Sequence, residues 1–136
     1  MKKITGLLLS ATLLLSGCGS VPVTGRKQML LVSDSEVIAS SLTQYSDYMK
    51  SATPSTNTKG KAMVTRVGKN IAAATEAYLK ANGLTNEIKN FNWEFNLVND
   101  NQVNAFCMPG GKIVVYEGLL NLVSSDDELA VVIGHE

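Results

Sequence analysis

The sequence has 136 residues, 45% hydrophobic and 18% charged, with twelve Lys and Arg balanced by twelve Asp and Glu. That length allows at most one domain, and the apolar share is too high for a chain disordered throughout. No cluster of Lys and Arg concentrates the positive charge that phosphate binding needs, so nucleic acid is not an expected partner.

Lys2 and Lys3 precede an apolar run from Ile4 to Leu15, interrupted only by Thr5, Gly6, Ser10 and Thr12. Charge followed by a short apolar stretch is the order of a secretory signal, and the run is too short for a comfortable membrane span. It ends Leu15-Ser16-Gly17-Cys18, which resembles the bacterial lipoprotein box, where the cysteine is acylated and becomes the new N-terminus. An ordinary signal peptide followed by a chance cysteine is the competing reading. Residues 1–17 are expected to be a lipoprotein signal peptide and Cys18 the lipidation site. The protein would then be lipid-anchored to a bacterial membrane in the cell envelope, facing the periplasm or exterior, and more than one acyl chain is what makes such an anchor stable. Without the signal, ten basic residues face twelve acidic ones. Cys107 is left without an intrachain disulfide partner, and its place between Phe106 and Met108 suits a small buried hydrophobe.

Residues 18–33 read as a tether: Pro22 and Gly25 break regular structure, and Met29-Leu30-Leu31-Val32 is apolar enough to dock on a domain. Ser33 with Glu36 has the capping-box spacing, and Ile38, Leu42, Tyr45 and Met49 follow at helical intervals, predicting a helix over 34–50. Residues 51–59 form a polar linker. A second helix over about 61–81 carries the stripe Met63, Val67, Ile71, Ala74 and Tyr78, and Asn82-Gly83 ends it. Neither helix bears a His, a Cys or paired acids at ligand spacing, so both are scaffold.

Residues 92–98 alternate, with Trp93, Phe95 and Leu97 on one face and Asn92, Glu94 and Asn96 on the other, as in a strand with one buried face. Residues 103–108 and 112–116 read as two more strands joined through Pro109-Gly110-Gly111, predicting an antiparallel meander. A short helix over 117–123 follows. Ser125 and Glu128 then repeat the capping-box spacing, and Asp126 and Asp127 put negative charge where a helix N-terminus is positive. The helix they open is apolar almost all round from Leu129 to Ile133, which predicts that it delivers His135 and Glu136 to an interior. The fold class is therefore α+β: two helices, a short antiparallel meander and one further helix.

The stretch Val103-Asn104-Ala105-Phe106-Cys107-Met108-Pro109-Gly110-Gly111-Lys112 and the terminal Asp127-Glu128-Leu129-Ala130-Val131-Val132-Ile133-Gly134-His135-Glu136 closely resemble the M48 metallopeptidases, in their lipid-anchored, Oma1-like branch. Val21-Pro22-Val23-Thr24-Gly25-Arg26-Lys27-Gln28 also looks like the corresponding segment of those lipoproteins. The resemblance implies a gluzincin-type domain holding one Zn2+, of which residues 34–136 are the N-terminal portion. It implies His135 as a zinc ligand and Glu136 as the base that deprotonates metal-bound water. Asn104, Ala105 and Phe106 would line the cleft, where main-chain groups pair with an extended protein or peptide substrate. The family's second His and the Glu of a later helix have no counterpart here, so these 136 residues are expected to be inactive by themselves. Two readings stay open: a zinc metalloendopeptidase of the envelope acting on unfolded or membrane-associated protein, and a lipid-anchored binding or structural module that performs no chemistry.

Overall fold

The computed structural model describes residues 18–21, 24–29 and 31–136. The signal peptide expected over 1–17 lies outside the described residues. The chain divides into two compact units, Met1–Asp34 and Ser35–Glu136.

In the first unit, β1 (Cys18–Ser20) pairs antiparallel with β2 (Lys27–Met29), Cys18 opposite Met29. Val21 N–H donates to the Arg26 carbonyl at 2.8 Å and Gly25 N–H to the Val21 carbonyl at 2.9 Å, with Gly25 at φ 65°. A hairpin thus occupies much of the segment read as a tether. Gly25, read as a breaker, supplies the left-handed residue of its turn.

The helix α1 (Asp34–Ser51) begins directly after Ser33. It is followed by α2 (Thr58–Ala81), which starts three residues earlier than its apolar period indicates. The reason is Asn57, whose side chain accepts the Gly60 N–H at 2.9 Å and caps the helix. At the other end Leu84 N–H reaches the Leu79 carbonyl and Gly83 N–H the Lys80 carbonyl, with Gly83 at φ 73°. These two bonds are the Schellman closure that Asn82-Gly83 foretells.

A 3-10 turn (Thr85–Asn90) leads to β3 (Glu94–Val98), β4 (Ala105–Met108), β5 (Lys112–Tyr116), the short α3 (Glu117–Leu120) and α4 (Asp126–His135). The α+β class holds, but the sheet is mixed rather than an antiparallel meander. Its order is β3-β5-β4: β4 and β5 form the expected hairpin, with Cys107 opposite Ile113, while β3 runs parallel to β5 with Phe95 opposite Ile113. Residues 99–104 carry the chain across to the far edge instead of folding back along β3. Gly118 N–H to the Asp100 carbonyl at 2.9 Å and Tyr116 N–H to the Asn104 carbonyl at 3.1 Å fasten this crossover. It passes so close that a Cβ on Gly118 would collide with the Asn101 carbonyl.

Both faces of the sheet are covered. On one, Val64 and Val67 of α2 and Leu129 and Ile133 of α4 pack with Leu97, Ala105, Ile113 and Val115. On the other, Tyr45 packs with Val98, Val114 and Tyr116. The central strand β5 is buried along its whole length, which is why it reads as an unbroken apolar run after Lys112. Lys112 is itself only 2% exposed. Its Nζ donates to the Asn92 carbonyl and to Glu94 Oε1, both at 2.6 Å, and lies 5.7 Å from the centre of the Tyr45 ring. Tyr45 Oη donates to Glu94 Oε2 at 2.8 Å and accepts from Asn96 Nδ2 at 2.6 Å. The polar face of β3 is thus tied to α1 rather than left to water.

Candidate active-site helix and strand edge

The helix α4 starts where its cap requires. Ser125 Oγ accepts the Glu128 N–H at 3.2 Å. Glu128 answers by accepting the Ser124 N–H at 2.6 Å, one residue before the cap rather than at it. Arg66 of α2 grips Asp126 through two bonds, Nε to Oδ2 at 2.5 Å and Nη2 to Oδ1 at 2.7 Å. That pairing holds the Asp126 carboxyl below its ordinary range. Both partners are solvent-exposed, so the fork orients the helix more than it stabilises the fold. Replacing Ser125 by alanine is expected to remove about 1 kcal/mol and lower Tm by roughly 4–8 °C in a thermal melt followed by circular dichroism.

Burial along α4 is one-sided. Leu129 and Ile133 are fully inside, whereas Val131 is 74% exposed and Gly134, His135 and Glu136 are all exposed. This corrects the expectation of a helix apolar all round that delivers its last residues to an interior. The sheet and α2 cover one face, and no other element among the described residues packs on the opposite one. His135 is the last helical residue, and Glu136 N–H closes the final turn on the Val132 carbonyl at 3.4 Å.

Beside this helix end runs β4, an edge strand of the sheet. Asn104 accepts from Tyr116, so in an antiparallel ladder Asn104, Phe106 and Met108 turn their main chain toward β5, and Ala105 and Cys107 turn theirs to the open side. The three residues expected beside the cleft therefore separate. Ala105 offers main-chain groups at the edge while its side chain is 6% exposed in the core. Phe106 is structural: its ring meets Tyr48 edge-on at 5.2 Å and Tyr116 at 6.3 Å. Asn104 has an exposed side chain, with its carbonyl already engaged. Cys107, read from the sequence as a small buried hydrophobe rather than a reactive thiol, is the second open position on the edge. The period of two along the strand is the signal that points to it.

Burial pushes the Cys107 thiol up, and the nearby Glu136 carboxylate adds to that shift. The end of α4 packs beside β4, with Ile133 and Gly134 facing the same cavity as Cys107, although many positions separate the two in the chain. A cavity of about 240 Å3 lies where α2, α4 and the end of the β4-β5 hairpin meet, walled by Ile71, Trp93, Cys107, Pro109, Ile133 and Gly134 among others but by neither His135 nor Glu136. Trp93 is held there by a bond from Nε1 to Glu76 Oε1 at 3.0 Å. Among the described residues two larger surface grooves run along α2 and between α1 and the sheet, and these too lack His135 and Glu136.

His135 is the sole histidine of the sequence, and among the described residues no three His, Cys, Asp or Glu converge as a metal-binding group. Catalytic zinc takes three protein ligands and a water. Among the described residues, His135 and Glu136 do not make up such a donor set by themselves.

Comparison with known proteins places these residues in a known setting. The sequence profile of Peptidase family M48 matches residues 61–136, more than half of the chain. Mitochondrial metalloendopeptidase OMA1 of Arabidopsis thaliana is 54% identical over 57 residues, 42% of this chain and 12% of that protein. The human mitochondrial metalloendopeptidase OMA1 is 28% identical over 115 residues, 85% of this chain and 21% of that protein. The Danio rerio protein of the same name is 27% identical over 136 residues, 97% of this chain and 27% of that protein. The chain thus spans between about an eighth and a quarter of the length of these relatives. The matched region includes the open strand, the Pro109-Gly110-Gly111 turn, the capped helix and its His135-Glu136 end, and on that evidence the chain belongs to peptidase family M48.

Proposed function

We propose that this chain contributes to a zinc-dependent metalloendopeptidase, with His135 as one ligand of the metal and Glu136 as the general base. The observation that carries this reading is the meeting of an exposed His-Glu pair, at the end of a capped helix, with an open strand edge. Zinc at such a site would make bound water acidic enough to attack a peptide carbonyl. Of this chain's own residues, Glu136 would take the proton as the general base. The main chain at Ala105 and Cys107 can hold an extended polypeptide, and Asn104 adds an exposed amide. Unfolded or membrane-associated proteins fit as substrates, since only an extended segment can add to an edge. The lipoprotein box at Cys18 supports anchoring to a bacterial membrane and a place in the cell envelope. The relatives named above carry a mitochondrial designation, which belongs to them.

The incomplete donor set among the described residues favours a second reading, a lipid-anchored module that binds polypeptide on β4 without cleaving it. Casein cleavage separates the two. In the protein as the cell produces it, cleavage should stop on chelation. It should fall about 100- to 10,000-fold in Glu136→Gln with zinc retained, and zinc should be lost in His135→Ala. These 136 residues alone are expected to cleave nothing, because one imidazole cannot assemble a catalytic site at ordinary metal concentrations. Cleavage that is indifferent to both substitutions and to chelator would sink the peptidase reading.

A further inference from the structure

We infer that the apolar run Met29-Leu30-Leu31-Val32 is a second membrane contact, seated in the bilayer surface beside the lipid on Cys18. This rests on the reading of Cys18 as the lipidation site. By sequence the run is apolar enough to dock on a domain, yet Leu31 is 87% and Val32 54% exposed. An exposed leucine alone carries little information. Its place in the hairpin carries more.

β1 and β2 pair antiparallel with Cys18 opposite Met29, so the anchor and the run leave the hairpin at the same end. Opposed residues in such a ladder stand about 4.5–5.5 Å apart between Cα atoms, and each further residue adds at most about 3.8 Å. Leu31 therefore lies within about 13 Å of Cys18, Cα to Cα. A lipid on Cys18 holds that end of the hairpin at the headgroups, with Leu31 and Val32 in reach of the same layer.

The length of the run fits a surface rather than a span. Four apolar residues, bounded by Gln28 and by Ser33-Asp34, fall far short of the roughly 20 that cross a bilayer. No helix among the described residues is long and apolar enough to cross one. Two aliphatic side chains leaving water would hold a free hairpin only weakly, but the anchor makes the encounter intramolecular, and a weak second contact then suffices. The anchor also favours lipid over a protein partner as the occupant, because it keeps the lipid at hand.

The test uses the full lipidated protein with Cys107→Ser and one new thiol, from Leu31→Cys or Thr24→Cys, labelled with an environment-sensitive dye in vesicles of phosphatidylethanolamine and phosphatidylglycerol. Thr24 is exposed in the turn at the opposite end of the hairpin. The label at position 31 should emit to the blue of the label at position 24, lose intensity to nitroxide-bearing acyl chains, and resist quenching by iodide in the water. Val32→Cys serves if Leu31→Cys fails to fold.

Labels at positions 31 and 24 that behave alike, in lipid or in water, would overturn the inference. So would a label at position 31 shielded from iodide yet untouched by the nitroxide, which puts a second copy or another segment of the protein over the run. The mass of the N-terminal peptide tells this failure from failure of the anchor reading. An acylated Cys18 with an aqueous label at position 31 removes the second contact alone. An unacylated Cys18 removes the anchor. In Cys18→Ser, a label at position 31 that still meets lipid then keeps the run as a membrane contact, and one that stays in water overturns it.

Discussion

Replacing Lys112 by alanine is expected to destabilise the fold by about 3–5 kcal/mol, one of the two largest single-residue effects anticipated in this chain. The ammonium is 2% exposed and has two oxygen partners at 2.6 Å, one on Asn92 and one on Glu94. Removing it leaves the Asn92 carbonyl and the Glu94 carboxylate short of a donor beneath α1, and it empties the volume of the stem. Glu94 is 45% exposed, so water can recover part of its solvation, which argues for the lower half of the range. Lys112→Met keeps the stem but not the donor, so it should recover only the part of the loss that comes from the emptied volume. Urea denaturation at pH 7 measures both, and equal losses for the two variants would show that the charge, rather than the volume, carries the effect.

The same cluster sets an acid dependence. The Lys112 bond, followed by the Tyr45 bond, holds the Glu94 carboxyl below its ordinary range. A depressed carboxyl contributes stability that is present above the unfolded value of about 4.3 and is lost as pH falls through the folded value. The unsubstituted protein should therefore lose stability below about pH 4.5 more steeply than Lys112→Met. Burial, and then the bond to Glu94, push the Tyr45 hydroxyl up to about 12, so it stays protonated and donating across that window.

Local chemistry is legible in the sequence wherever a few consecutive residues settle it. The Ser125 cap, the Asn82-Gly83 stop and the hairpin around Pro109-Gly110-Gly111 all stand where their residues indicate. What escapes depends on neighbours distant in the chain. Alternation at residues 93–97 identifies two faces, but it cannot say that β5 rather than β4 lies beside β3, nor that the polar face meets Tyr45. Nothing beside Lys112 in the chain indicates its burial, because its counter-ion Glu94 comes from β3. In the same way, His135 and Glu136 are legible as a pair, while the packing of their helix end beside Cys107 follows only from how α4 crosses the sheet.

Leu129→Ala should cost about 2–5 kcal/mol, whereas Val131→Ser two positions on should stay within roughly 0.5 kcal/mol of the unsubstituted protein. Composition does not separate them, since both sit in the same apolar run of α4. Leu129 is 0% exposed in the core with Val64, Val67 and Ile113, and its truncation opens a void that rigid neighbours on α2 and the sheet fill only partly. Val131 is 74% exposed and has little packing to lose. The consequence reaches the site, because Leu129 and Ile133 are the two residues that clamp α4 onto the sheet and so keep Glu136 near β4. Loosening the clamp should let water reach Cys107 and move the carboxylate away, both of which make the thiol easier to ionise. In a Cys18→Ser background, where Cys107 is the sole thiol, its alkylation rate should rise in Leu129→Ala and stay unchanged in Val131→Ser. Equal stability and equal thiol reactivity in the two variants would mean that α4 is not held by this face, and that the proximity of Glu136 to the strand edge has another origin.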